Sequence, residues 1–244
     1  MSSTQPVLIA GQWIPSDASG TFEPDNPSTK QPTGEVYPVS SEAEVIAAIE
    51  AAADASEQLQ SHYPDGVADF LDAFAGRIEA RADEIVTMAA AESGLPASPR
   101  LADIELPRTT GQLRQAATAA RARAWTQPTI DTASNIRSMF RALEGPVAVF
   151  GPNNFPLAFN SVAGGDFAAA IGAGCPVIGK ANSSHPGTTR LLAEEALAAL
   201  TETGLPPATV QLLYRTDHEV GKTLVSHPKM GATGYTGSRG AGLT

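Results

Sequence analysis

Apolar residues fall along this chain in two different periods. After a Ser41/Glu44 capping-box pattern, Val45, Ile49, Ala52 and Leu59 recur at helical spacing to about Gln60. Phe70, Phe74, Ile78, Ile85 and Met88 continue that period from near Asp65, with a kink or break expected over residues 80–83 and a stop at Gly94-Leu95-Pro96. A third helix is predicted over roughly residues 97–124, with Ile104, Leu106 and Leu113 inward and Pro107 bending or breaking it. The second half reads differently. Val147–Phe150, residues 175–178 and residues 210–214 are short apolar runs, the pattern of strands buried on both faces, and Ala232–Tyr235 is a final strand. A Gly/Ala-rich segment and helical patterns at 188–203 and 218–226 separate them. This alternation predicts an α/β fold, a Rossmann-like parallel sheet with helices on both faces.

Two stretches stand outside those periods. Gly11-Gln12-Trp13-Ile14 reads as an N-terminal hairpin, followed by a Pro/Gly/Ser/Thr-rich loop over residues 24–34. Residues 126–144 alternate around Thr129-Ile130-Asp131 and Ile136-Arg137-Ser138, with a turn between, which predicts a hairpin that leaves the helical layer. Such a hairpin must be covered, and pairing with another subunit is one way to do so.

The 244 residues, 42% of them hydrophobic, are ample for a globular core. Acidic residues outnumber basic ones 26 to 16, for a formal net charge of -10 that is a poor match to phosphate backbones, so no nucleic acid partner is expected. No apolar run approaches the length of a membrane span, and the N-terminus lacks a basic start with a long apolar core, so neither membrane nor leader is expected. One cysteine fits a reducing cytoplasm. The four histidines, His62, His185, His218 and His227, lack metal-ligand spacing, so no metal is expected.

Candidate chemistry gathers around the strand ends, where open α/β sheets bind ligands. The turn Asn153-Asn154-Phe155-Pro156 follows the first buried strand, and Lys180 ends the second. The same spacing equally describes a buried helix packed on a sheet with a turn that happens to be polar. After the last strand, Thr236-Gly237-Ser238-Arg239-Gly240-Ala241-Gly242 offers backbone N–H groups suited to a pyrophosphate. Arg100, Arg108, Arg114, Arg121 and Arg123 read as a solvated face.

Taken together these motifs resemble the aldehyde dehydrogenase superfamily. The residues that carry the resemblance are Gly151-Pro152-Asn153-Asn154-Phe155-Pro156, Ala173-Gly174-Cys175-Pro176-Val177-Ile178-Gly179-Lys180, Gly204-Leu205-Pro206-Pro207, Ser226-His227-Pro228 and Tyr235-Thr236-Gly237-Ser238. Asn26-Pro27, Thr33-Gly34-Glu35 and Glu92-Ser93-Gly94-Leu95-Pro96 extend it into the first half. The wording of residues 145–150, 156–159 and 164–166 looks most like the α-ketoglutaric semialdehyde (2,5-dioxovalerate) dehydrogenase branch.

The resemblance implies oxidation of an aldehyde to its acid through a cysteine thiolate, with hydride passing to NAD(P)+ and a glutamate activating water. It implies that Asn154 is the oxyanion-hole amide, that Lys180 contacts the adenosine ribose, and that Ser238, at the turn with Gly237 and Gly242, contacts the pyrophosphate. Where many NAD-preferring members carry a glutamate three positions after the lysine, this chain has Ser183. That loss of repulsion, with Lys180 and His185 to offset a 2′-phosphate, implies that NADP is accepted. On this reading residues 1–125 are the N-terminal part of a cofactor-binding domain, 126–144 an oligomerisation hairpin, and 145–244 a truncated NAD(P)-binding part.

The family's nucleophile and general base lie downstream of the Thr-Gly-Ser turn, past Thr244. Cys175 reads as an inert core thiol, so the chain alone is expected to be inactive. Two other readings share these residues: a short protein that binds a dinucleotide or a partner without catalysis, and an acylating relative within the superfamily.

Overall fold

The apolar runs of the second half become the buried middle of one six-stranded sheet in a computed structural model, which describes residues 4–243. The expectations that touch residues 1–3 and Thr244, a start without a leader and a truncated end, lie outside the described residues. In chain order, β1 (Val7–Ile9), β2 (Gln12–Ile14), β3 (Gly20–Phe22), β4 (Asp25–Asn26), β5 (Gln31–Pro32) and β6 (Tyr37–Ser40) come first. Helices α1 (Glu42–His62), α2 (Asp65–Ala80), α3 (Ala82–Ser93) and α4 (Leu106–Ala122) follow, then a hairpin of β7 (Thr129–Asp131) and β8 (Ile136–Ser138). The remainder alternates: β9 (Val147–Phe150), α5 (Gly165–Gly172), β10 (Val177–Lys180), α6 (Pro186–Thr203), β11 (Val210–Leu213), β12 (Arg215–Thr216), α7 (His218–Ser226), β13 (Ala232–Tyr235) and α8 (Arg239–Gly242).

The main sheet runs β13-β9-β10-β11-β1-β2. Its first four strands are parallel, and Ala232, Val147, Val177 and Val210 start them at one level. The N-terminal hairpin then adds two antiparallel strands, with Leu8 opposite Leu212, so the sheet is mixed rather than wholly parallel. Gln211 explains why the hairpin docks there. Its buried side chain accepts from the Ala10 N–H at 3.0 Å and donates to the Ala48 carbonyl at 2.6 Å, joining hairpin, sheet and α1. Helices cover both faces. α1 lies against α7, β1, β10 and β11, whereas α5 packs on β9, β10 and β13 beneath α2 and α4, and α6 on β11 beneath α2 and α3.

Local signals set most helix ends. Ser41 Oγ accepts from the Glu44 N–H at 3.2 Å, and the Glu44 carboxylate accepts from the Ser41 N–H at 3.1 Å, completing the capping box. The expected break falls at Arg81, between α2 and α3, and Gly94 ends α3 in the left-handed conformation at φ 69°.

The third helix is not one piece. Residues Ala97–Glu105 form π-helical turns kinked at Ser98, whose backbone is extended at φ -123° and ψ 140°, and α4 begins only at Leu106, with Pro107 in its first turn, where a missing N–H costs nothing. The wider turns rotate the buried face, so Ile104, expected inward, is 57% exposed, while Leu106 and Leu113 are buried. The helix expected from Thr188 starts earlier, at Pro186. Strands β7 and β8 are exposed along their whole length, and Ile130 is 70% exposed.

Buried Glu92 fastens α3 to α6. Its carboxylate accepts from the N–H groups of Gly187 and Thr188 at 2.7 and 2.8 Å and from Thr188 Oγ1 at 2.7 Å, capping α6 from another helix. Burial outweighs these donors and the Glu35 charge adds to it, so the carboxyl is pushed up from 4.5 to about 7. The folded state therefore keeps a proton that the unfolded chain has already lost. This contribution to stability is complete below about 4.5 and disappears as pH rises through about 7. Glu92→Gln, which cannot titrate, should melt below the wild type by a margin that shrinks across that window. A margin independent of pH in thermal melts would reject the assignment.

Candidate active site

Phe150, Lys180 and Tyr235 stand side by side where β9, β10 and β13 end. From β9 the chain proceeds to β10 and β11 on one side, then crosses to β13 on the other. Strand order therefore reverses at β9, and a reversal leaves a crevice beyond the strand ends. Here it is a cleft of about 730 Å³, walled by residues 150–155, Phe159, Lys180, Ala181, Asn182, Ser184 and residues 235–238.

The loop from Gly151 to Gly164 forms one wall and is held from several sides. Asn160, buried, donates to the Pro156 carbonyl at 2.8 Å and to Thr189 Oγ1 at 3.0 Å, and accepts from the Val162 N–H at 3.0 Å. Asn182 donates to the Gly151 carbonyl at 3.0 Å. Two glycines permit the close approach. A Cβ on Gly151 would stand 2.5 Å from the Phe159 carbonyl oxygen, and one on Gly179 would stand 2.3 Å from Val162 Cγ1. On the opposite wall Thr236 Oγ1 donates to Asp166 at 2.7 Å, tying the turn after β13 to α5.

The sequence-derived site residues fall into two groups. Asn154, Lys180, Gly237 and Ser238 all line the cleft. The Asn154 side chain is exposed and makes no hydrogen bond among the described residues, while its backbone carbonyl accepts from Arg100 Nη2 at 3.1 Å. Lys180 forms no ion pair among the described residues, and burial, with the Arg215 charge beyond it, pushes its pKa down. Ser238 caps α8, its hydroxyl accepting from the Ala241 N–H at 3.3 Å.

Ser183, His185 and Gly242 are not on the wall. Ser183 sits between wall residues Asn182 and Ser184, and Gly242 is exposed beside the Tyr235 ring. His185 is buried behind the wall with Nε2 at 2.9 Å from the Pro152 carbonyl, and burial pushes its pKa down, so the ring is neutral at pH 7. Cys175 is buried as expected, and burial pushes its thiol up.

Arg100 and Glu105 stand outside the cleft but bond the backbone of the loop that walls it, a connection sequence reasoning missed. The predicted arginine face holds for Arg114 and Arg121, which pair with Glu79, Asp69 and Asp72 at the surface. Arg100 is instead drawn inward to an ion pair with buried Glu105, and its guanidinium carbon lies 4.4 Å from the centre of the Phe155 ring. Glu105 in turn accepts from the N–H groups of Leu157 and Ala158 at 2.8 and 3.0 Å. The two residues are five apart, a separation that does not share an α-helical face but is brought together by π-helical turns.

Known proteins are similar to the chain in sequence and in fold. The whole chain is 40% identical to α-ketoglutaric semialdehyde dehydrogenase 2 of Azospirillum brasilense and covers 47% of it. The α-ketoglutaric semialdehyde dehydrogenase of Acinetobacter baylyi is 39% identical over 97% of the chain, which covers 45% of that protein. The chain thus spans about half the length of the curated relatives it matches. Among solved structures, HpcC from Thermus thermophilus superposes with a TM-score of 0.85 at 26% identity, over 98% of this chain and 45% of that one. Aldehyde dehydrogenase C of Pseudomonas syringae, solved with NAD+ and octanal, shares the fold with a TM-score of 0.81 at 23% identity, over 95% of this chain and 45% of that one. The aldehyde dehydrogenase family model matches residues 13–244, and the chain belongs to that family.

Proposed function

We propose that this chain forms the cofactor-binding and oxyanion side of an NAD(P)+-dependent aldehyde dehydrogenase that oxidises α-ketoglutaric semialdehyde to the acid. The observation that carries the reading is the cleft. One unpaired cation, Lys180, and two unengaged amides, Asn153 and Asn154, line it at the reversal of strand order, and no carboxylate lines the wall among the described residues. The names of the two semialdehyde dehydrogenases quoted above support the substrate.

A dinucleotide fits the donors present. Lys180 offers an ammonium to ribose hydroxyls or a phosphate, the turn at Gly237 and Ser238 offers backbone N–H groups, and Asn182 and Ser184 add polar edges. When bound, the dinucleotide supplies the hydride acceptor. Asn154 would donate its side-chain N–H to the oxygen of the aldehyde as a thiolate adds to the carbonyl carbon, so that the developing charge meets a fixed dipole rather than water. Cys175 is not that thiolate, being buried with its pKa raised. The nucleophile and the water-activating base then come from sequence outside these residues.

In the enzyme carrying this chain, Asn154→Ala should lower kcat about a hundredfold or more while leaving cofactor affinity intact, because the lost interaction exists only in the transition state. An unchanged kcat would remove the oxyanion role.

For the cofactor, Ser183 leaves the lysine without the nearby carboxylate that disfavours a 2′-phosphate. With His185 neutral and behind the wall, Lys180 carries the charge that favours one. At one ionic strength NADP+ should bind at least as tightly as NAD+, and Lys180→Ala should weaken NADP+ the more. Calorimetric titrations in which NAD+ binds tighter would contradict this.

A second copy of the chain is the proposed partner of the hairpin. Ile130, Ile136, Met139 and Phe140 are all more than half exposed there, a surface that association would bury. Ile130→Asp with Phe140→Asp should reduce the assembly size seen by sedimentation without loss of helix content. An unchanged size would count against the hairpin as the interface.

A further inference from the structure

We propose that Arg100 and Glu105 are positioning residues for the reaction: together they clamp both ends of the Asn154 turn and set where its amide points. The inference rests on the oxyanion role of Asn154. Residues 151–159 have no regular secondary structure, so their backbone polar groups need partners from elsewhere. One pair from the π-helical segment supplies them. At the leading end, Arg100 Nη2 donates to the Asn154 carbonyl at 3.1 Å, and its guanidinium lies over the Phe155 ring. At the trailing end, Glu105 Oε1 accepts from the Leu157 and Ala158 N–H groups at 2.8 and 3.0 Å. Glu105 Oε2 and Arg100 Nη1 close the circuit between them.

Charge and burial make this clamp stiff. The Glu105 side chain is wholly buried and that of Arg100 is 25% exposed, so neither is screened as a surface pair would be. The guanidinium splits its two terminal nitrogens between Glu105 and Asn154, so the carboxylate fixes the arginine and the arginine fixes the turn. Phe155 extends the hold, packing edge-on against Phe159 with ring centres 5.2 Å apart. The side-chain amide of Asn154 thus projects from a backbone constrained at residues 154, 157 and 158. An oxyanion donor requires this, because it acts only when held at hydrogen-bond distance from the oxygen that acquires charge. No hydrogen bond or ion pair among the described residues links Lys180 or the turn at Gly237 to Arg100 or Glu105, so cofactor affinity should not depend on the clamp.

A double-mutant cycle in the enzyme carrying this chain tests the assignment. Arg100→Ala and Glu105→Gln should each lower kcat by about tenfold or more, with aldehyde KM and cofactor Kd changed by less than about twofold. Arg100→Lys should recover only part of the loss, since a single ammonium cannot serve Glu105 and Asn154 with the geometry of a planar fork. On an Asn154→Ala background, Arg100→Ala should cost nothing further, because no amide remains to be placed. A residue with a merely structural role would reduce kcat by the same factor on both backgrounds, and that result would overturn the proposal, as would an unchanged kcat in Arg100→Ala. An unchanged kcat in Asn154→Ala would instead reject the oxyanion reading and the clamp with it. If Glu105→Gln fails to fold, the cycle between Arg100 and Asn154 still decides the question.

Discussion

Everything at the cleft depends on register. Phe150, Lys180, Leu213 and Tyr235 end their strands at one level because β9, β10, β11 and β13 pair in parallel without slippage. A slip of one residue would turn every side chain of a strand to the opposite face and withdraw Lys180 from the cleft. Gly179 guards against such a slip. Any side chain brought to its place would meet Val162, so only the observed alignment of β10 admits the loop packed against it. The glycine that makes room for the wall also fixes the lysine beside it.

Two buried carboxylates then connect the helical layer to this frame. Glu92 and Glu105 each accept from two successive backbone N–H groups that local structure leaves unpaired, at the start of α6 and in the Asn154 turn. Their electrostatics differ. Glu105 has Arg100 as its counter-charge, and losing one partner of such a buried pair typically costs about 3–5 kcal/mol. Glu92 forms no ion pair among the described residues and answers burial by holding its proton to higher pH. One acid is fixed by a cation, the other by donors alone.

The parts of this architecture readable from sequence are those whose cause is local. Ser41 and Glu44 lie three apart and cap each other, Gly94 tolerates the left-handed turn its helix end requires, and the strands at 147–150 and 210–213 declare their burial by continuous apolar residues. Asn154 and Lys180, which line the cleft, stand out in the sequence through a motif shared with a family. What escaped has a cause elsewhere in the chain. Gln211 is polar within an apolar strand because Ala10 and Ala48 need partners there. Ile104 points outward and Arg100 inward because π-helical turns break the 3.6-residue period on which both readings relied. His185 is a polar residue beside the cleft, yet the fold uses it to hold the Pro152 carbonyl.

Lys180 differs from every comparable cation in the chain. The other described Lys and Arg side chains that are not exposed, Arg77, Arg81, Arg100 and Arg190, all have carboxylates within reach. Lys180 alone among them has none, although burial already disfavours its charge. An ammonium left half-buried without a partner costs stability that a neutral side chain at the end of β10 would not. The arrangement makes physical sense if the missing partner arrives with a ligand: hydroxyl or phosphate oxygens entering the cleft would complete the solvation that the protein withholds. The same holds for the unengaged amide of Asn154 on the facing wall, held ready by a clamp whose own donors and acceptors are satisfied within the chain.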